Sequence, residues 1–151
     1  MKVTAPGITI DLPPGWEAEI DSGAGVEDAR DVGVQTPRVH IGNFPLPAVR
    51  GDFGSGAVEQ MIGGDALVCL LEEAPAAAGS ELHSHRGVPR LSPEQFSPHA
   101  MQRPLHGQSG TQVFFTENGR AFVLYAVLGS HASRTSMVPE INDVLARIAI
   151  D

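Results

Sequence analysis

The pair Asn118-Gly119 stands between two runs of strand-forming residues and constrains the fold more than any other feature of the sequence. Residues 111–116 form the first run and residues 120–128 the second. Asn-Gly is the favoured pair for a two-residue hairpin turn, because both turn positions need a positive φ angle. The sequence therefore predicts an antiparallel hairpin here. Alternation puts Phe114 and Phe115 on opposite faces, so both faces of the hairpin need cover.

Other segments supply partners for this hairpin. Residues 66–72 are almost continuously apolar and are bounded by turn residues, which predicts a central strand covered on both faces. Residues 8–11 and 16–20 alternate around Pro13-Pro14-Gly15 and predict a second hairpin at the start of the chain. The apolar residues of segment 138–148 have helical spacing, with Pro139 in the predicted first turn.

Weaker patterns complete the predicted elements. Residues 37–41 predict a strand, and residues 57–62 predict a short helix that ends at Gly63-Gly64. Residues 21–31 are small, polar and acidic without a period, which predicts a mobile loop. With one strong helix and one weak helix, the chain has few elements to cover a two-faced sheet. That shortage suggests a homodimer.

Charge and length exclude some classes of function. The chain has 151 residues and a formal net charge of -8, so it repels phosphate backbones and anionic lipid. Its longest apolar runs are too short to span a bilayer. We therefore expect neither nucleic acid nor membrane as a partner. The single cysteine, Cys69, has no intramolecular disulfide partner and lies in an apolar run, which predicts a buried thiol. No leader pattern opens the sequence, so we expect a cytoplasmic protein.

The segment from Ala74 to Gly110 is interrupted by five prolines and predicts a long loop, with at most a turn of helix near residues 93–96. Loops of this length in a compact domain are often functional. Four histidines lie in it, and three imidazoles on one metal ion would form an open catalytic site. Zinc is the candidate metal, although histidines in a polar, proline-rich loop are usually ordinary solvated side chains. The candidate ligands are His83, His85, His99 and His106.

Long ordered loops on a rigid sheet commonly carry recognition. The 74–110 loop and the glycine-rich turn 51–56 are therefore the predicted contact surfaces for a partner. Arg50-Gly51-Asp52 matches a tripeptide that some adhesion receptors read, but a turn with Asp52 as a helix cap is the simpler interpretation. The candidate partner-binding residues are Arg50, Asp52, Phe53, Arg86, Arg90 and Phe96.

Two ends of the chain carry a family pattern. The strand and turn ending in Leu12-Pro13-Pro14-Gly15-Trp16, together with the long strand and closing helix of residues 119–150, resemble the PsbP-like fold. The phrases at residues 43–47, 50–56 and 128–131 are similar to a family of uncharacterised actinobacterial proteins. The resemblance implies a central antiparallel sheet between helices, and a role in binding partners. It implies no catalytic residue.

The sequence thus predicts an α+β fold in a single PsbP-like domain over residues 1–151, an α/β/α sandwich with a central antiparallel sheet flanked by helices. The predicted function is that of a non-enzymatic binding or adaptor module whose partner is another protein or a second copy of the chain. The alternative is a metal-binding protein or metal-dependent enzyme that uses the loop histidines.

Overall fold

The computed structural model describes residues 1–21, 37–101 and 103–151. The mobile-loop prediction for residues 21–31 lies outside this range except for Asp21, which ends a strand. The described residues form eight β-strands and one α-helix. The elements are β1 Lys2–Ala5, β2 Ile8–Asp11, β3 Glu17–Asp21, β4 Arg38–Gly42, β5 Ala66–Glu72, β6 Ser109–Glu117, β7 Arg120–Leu128, α1 Arg134–Leu145 and β8 Ile148–Ile150.

The larger sheet has five strands in the order β3-β4-β5-β7-β6, and each neighbouring pair is antiparallel. Asn118 and Gly119 have φ angles of 53° and 77°, which are the positive values that a two-residue hairpin turn requires. The predicted hairpin of β6 and β7 is confirmed. The apolar run at residues 66–72 is the middle strand, β5, so the predicted central strand is confirmed as well.

The smaller sheet has the order β1-β2-β8 and corrects the predicted opening hairpin. Both predicted strands exist, as β2 and β3, but they belong to different sheets. Strand β2 pairs with β1 and with β8, which lies at the opposite end of the sequence. The Pro13-Pro14-Gly15 segment therefore carries the chain from one sheet to the other.

Strand β5 contributes to two apolar clusters, one on each face of the larger sheet. Ala66, Val68 and Leu70 pack in a cluster that includes α1 and the smaller sheet. Leu67 and Cys69 pack in a second cluster with residues of segments 57–61 and 101–105. Period-two alternation in a strand buried on both sides produces this division. Loops and one 3-10 turn thus cover the face of the larger sheet that lies opposite α1.

The single α-helix among the described residues covers one face of the larger sheet. The α+β class with antiparallel sheets is confirmed, but flanking by helices is not. The helix begins earlier than predicted, so Pro139 lies inside it, and Ile148 belongs to β8. The predicted helix at residues 57–62 is a single 3-10 turn, Val58–Gln60. None of the helices in the described part of the chain has the length and apolar character needed to cross a bilayer.

Two isolated bridges cap the outer edge of β6. Arg86 pairs with Thr116 near one end of the strand, and Ser97 pairs with Gly110 near the other. Between these bridges the loop leaves the sheet and passes over α1. Buried Asn142 of α1 holds it there: its side-chain carbonyl accepts from Leu91 N, and its amide donates to Leu91 O, both at 2.8 Å.

Arg120 joins the two sheets. Its guanidinium donates to both carboxylate oxygens of Glu72 at 2.9 and 2.7 Å, within the larger sheet. It also donates to the carbonyl oxygens of Gly7 at 3.0 Å and Asp151 at 3.2 Å, at the turn between β1 and β2 and just after β8. The hydrogen bond from Arg120 to Glu72 is the largest cause of the raised pKa of the guanidinium.

Candidate functional site

Thr116 of β6 anchors the first part of the 74–110 loop through four hydrogen bonds. Its hydroxyl accepts from Gly79 N at 3.0 Å and donates to His83 O at 2.7 Å. Its backbone N–H donates to His85 O, and its carbonyl accepts from Gly87 N, each at 2.8 Å. The loop therefore has a defined conformation against the end of the sheet.

A cleft of about 520 Å³ lies between this anchored loop and the β6–β7 turn. It brings together His83, a candidate metal ligand, and Arg86, a candidate partner-binding residue. The Asn118-Gly119 turn forms another part of its wall, a role that the hairpin pattern in the sequence did not indicate. The lining residues are Ala78, Gly79, His83, Ser84, Arg86, Gly87, Thr116, Glu117, Asn118 and Gly119.

The imidazole of His83 is 2% exposed and lies between two polar side chains. Its Nδ1 is 3.3 Å from Ser80 Oγ, and its Nε2 is 3.5 Å from a carboxylate oxygen of Glu73. The second separation permits an ion pair but not a well-formed hydrogen bond, so buried Nε2 has no hydrogen-bond partner among the described residues. The ring also packs edge-on against Phe114, with centroids 5.4 Å apart.

The other three histidines of the predicted metal site are exposed: His85 and His106 are in loop positions, and His99 is in a single 3-10 turn. Across residues 1–21, 37–101 and 103–151, no three side chains of His, Cys, Asp or Glu are close enough to hold one metal ion. The structure therefore does not bring His83, His85, His99 and His106 together as a ligand set.

The predicted partner-binding residues of the 74–110 loop lie in different surroundings. Arg86 and Arg90 are exposed, whereas Phe96 is 4% exposed and packs in the core cluster under α1. The side chain of Phe96 is thus occupied by intramolecular packing. Its apolar neighbours Leu91 and Val88 in the same loop, which also pack in or against that cluster, show that much of this loop is part of the core.

Arg50 of the predicted contact turn is only 6% exposed at its side chain. It donates to Glu19 at 2.5 Å, to Nδ1 of His40 at 2.9 Å, and to the carbonyl of Pro47. Asp52 pairs with Arg38 at 3.2 Å. These contacts hold the turn against β3 and β4, so most donors of Arg50 are committed within the protein.

The contact with Arg50 fixes the protonation state of His40. A guanidinium can only donate, so Nδ1 of His40 accepts and the ring proton is on Nε2, which donates to Asp52 O at 2.9 Å. Burial is the main cause that lowers the pKa of His40, and the positive charge of Arg50 lowers it further, against the effect of the bond to Asp52. His40 is therefore a neutral, buried connector.

Phe53 is half-buried and packs edge-on against Tyr125 of β7, with ring centroids 5.6 Å apart. A small cavity of about 100 Å³ adjoins both rings. Met101 closes one side of it, and its sulfur lies 3.8 Å from the Tyr125 hydroxyl. This cavity is too small for a ligand and marks imperfect packing where the loops cover the sheet.

Comparison of the chain with protein-family models, with curated proteins and with solved structures gave no match. The resemblance to PsbP-like proteins stays a prediction.

Proposed function

We propose that this chain is a binding module and that the cleft between the anchored loop and the β6–β7 turn is its recognition site. The proposal rests on the position of Arg86, which is an exposed cation in a cleft whose wall is fixed by Thr116. Within the described parts of the chain Arg86 has no ion-pair partner, in contrast to Arg38, Arg50 and Arg120.

The lining of the cleft favours a single carboxylate on a protein partner. A guanidinium offers donors in a planar fork that matches a carboxylate, and the side chains of Ser84 and Asn118 can donate alongside it. Glu117 lines the same cleft and disfavours a second negative charge next to the first. The net charge of -8 disfavours acidic groups on the surface as a whole, whereas Arg86 supplies a local positive charge in this cleft.

A comparison of two charge reversals tests this proposal. We expect Arg86→Glu to abolish recovery of a partner that the unchanged protein captures reproducibly from native lysate under chemical crosslinking. Arg90→Glu is the matched control, because Arg90 is also exposed but does not line the cleft. Equal recovery by Arg86→Glu, or failure of the unchanged protein to capture any reproducible partner, would contradict the proposal.

The metal-dependent alternative also has a direct test. In it, His83 and Glu73 would supply two ligands, because their side chains approach to 3.5 Å. Stoichiometric zinc in untagged protein, with a higher melting temperature on adding zinc, would support this alternative. The absence of both effects would exclude it for this chain.

The homodimer and the cytoplasmic location stay predictions within this proposal. The loops of the chain already cover the second face of the sheet, so the dimer no longer follows from a shortage of cover. Light scattering at micromolar concentration decides the oligomeric state, since a mass of 15.9 kDa would exclude a dimer. The resemblance to PsbP-like proteins is likewise a proposal, supported by the terminal motifs and the antiparallel sheet.

A further inference from the structure

Trp16 is the only tryptophan in the sequence, and it lies in the connection between the two sheets. Its side chain is half-buried and packs against the main core, and its backbone N–H donates to Pro13 O at 3.3 Å. Trp16 lines two surface grooves. Tryptophan is enriched at the centres of protein interfaces, because it supplies a large contact area with one polar atom.

Trp16 is the residue that the two grooves share, and their other lining residues differ. One has a volume of about 350 Å³ and lies between the Pro13-Pro14 turn and the residues of α1 around Pro139. The other has a volume of about 310 Å³ and lies between Glu17 and the Phe44-Pro45 segment. The apolar part of their lining consists of proline and aromatic side chains, which present flat, rigid surface.

The polar residues of these grooves are acidic or neutral. Glu140 and Asp143 line the first groove and Glu17 lines the second, whereas neither groove is lined by a lysine or an arginine. Asp143 approaches Arg147 at 3.4 Å, and Glu17 accepts from Leu46 N at 2.6 Å. Glu140 has no ion-pair partner in the described part of the chain. The surface therefore combines an aromatic ring with negatively charged groups and is not lined by a basic residue.

We infer that the Trp16 surface, formed by these two grooves, is the docking site for a cationic segment of a protein partner. The charge complementarity carries the choice of occupant: an arginine side chain stacks on the face of Trp16, and Glu140 and Glu17 neutralise its charge or that of its neighbours. The proline rims contact the aliphatic parts of the segment. The overall charge of -8 accelerates the encounter with such a partner.

This inference does not rest on the cleft of Arg86, because the two sites favour groups of opposite charge. They also involve separate residues, so a variant in one site leaves the other unaltered. Failure of one proposal therefore does not decide the other.

The unique tryptophan provides the assay. We expect a ten-residue peptide of alternating arginine and glycine to produce a saturable change in Trp16 fluorescence that weakens as salt is added. The matching glutamate–glycine peptide should produce no change. Glu140→Gln should lower the affinity for the arginine peptide about two- to fivefold, which is the effect of one exposed charge contact. Glu81→Gln, which removes an exposed acid outside both grooves, should leave the affinity unchanged.

Three results would overturn the inference. One is fluorescence that does not change, or does not saturate, with the arginine peptide. Another is equal affinity for the unchanged protein and the Glu140→Gln variant. The third is an equal loss in the Glu81→Gln control, which would mean that the peptide responds to overall charge alone. Calorimetry with Trp16→Ala gives an independent readout, in which we expect the binding heat to disappear while circular dichroism shows an unaltered fold.

Discussion

His40 and Cys69 occupy paired positions on β4 and β5, where burial alters the acid–base chemistry of both side chains. His40 accepts from Arg50 and is neutral, and the pKa of the Cys69 thiol is raised by burial. The sequence predicted the buried cysteine from its apolar neighbours. It did not predict the role of His40, because the network joins residues from three separate segments, around Glu19, His40 and Arg50.

The contribution of His40 to stability should depend on pH. Its pKa is lowered in the folded protein, so the unfolded chain binds the proton more readily. The stabilising contribution of neutral His40 is complete above the pKa of the unfolded chain, about 6.5. It is lost as the pH falls through the lower pKa of His40 in the folded protein. Protonation would also place a proton on Nδ1, towards Arg50, while Asp52 and Glu19 offset part of that repulsion.

Urea unfolding between neutral and mildly acidic pH tests this prediction with His40→Asn, in which an amide can still face Arg50 but cannot titrate. We expect this variant to be less stable than the unchanged protein at neutral pH, and the difference in free energy of unfolding to shrink as the pH falls. His99→Asn, at an exposed position, should not show that convergence. A difference that stays constant with pH would contradict the assignment.

Cys69 should report on global unfolding, because it is the only cysteine and is fully buried. A buried thiol with a raised pKa forms little thiolate and does not meet reagents in solution. We expect an aromatic disulfide reagent to modify the folded protein very slowly, and one thiol per chain to react at once in denaturant. Rapid modification under native conditions would show that the loops covering this face open readily.

At the scale of elements, local sequence patterns predicted the main strands of the larger sheet. Pairing between segments far apart in the sequence could not be predicted in this way. The β6–β7 hairpin and β5 followed from a turn pair and from apolar runs, which act over a few residues. Strands β1 and β8 have only four and three residues, so they carry little periodic signal. The pairing of β2 with β8 spans almost the whole chain and leaves no local trace, which explains the wrongly predicted opening hairpin.

The candidate site, like the fold, was only partly predictable from the sequence. His83 and Arg86 were identified from the sequence, because they lie in a long loop and long loops in a compact domain are often functional. Their placement in one cleft depends on Thr116, whose residue type gives no hint of four contacts to the loop. The scattering of the histidines and the burial of Phe96 followed from core packing of a segment whose prolines suggested only an exposed loop.

Asn142 connects α1 to the loop and should be a major determinant of loop position. Asn142→Ala would leave both polar groups of the Leu91 backbone unsatisfied in a buried environment, at a cost of about 2–4 kcal/mol in the free energy of unfolding. Ser136→Ala, on the exposed side of the helix, should change stability by less than about 0.5 kcal/mol. Chemical denaturation measures both, and equal effects would contradict the role of Asn142.

At the scale of the whole molecule, Arg120 connects the two sheets through the turn at Gly7 and the backbone of Asp151. We expect Arg120→Lys to lower the free energy of unfolding by about 1–3 kcal/mol, because an ammonium cannot hold both oxygens of Glu72 and reach the second sheet. Arg147→Lys, at an exposed pair, should cost less than about 0.5 kcal/mol.

Hydrogen exchange distinguishes a role in joining the sheets from a general loss of stability. In Arg120→Lys, the amides of β1, β2 and β8 should exchange faster than those of β5 and β7, relative to the unchanged protein. Uniform acceleration across both sheets would contradict the interpretation of Arg120 as the connection between them.

The bridges at Arg86 and Ser97 have a consequence for the behaviour of the protein at high concentration. Gly110 and Thr116 use their outward backbone groups in these bridges, so by alternation only Gln112 and Phe114 still present outward groups along β6. Two residues are too short a template for a strand from another molecule. The loop thus protects an apolar hairpin against edge-to-edge aggregation and amyloid growth, a hazard that long open edges carry.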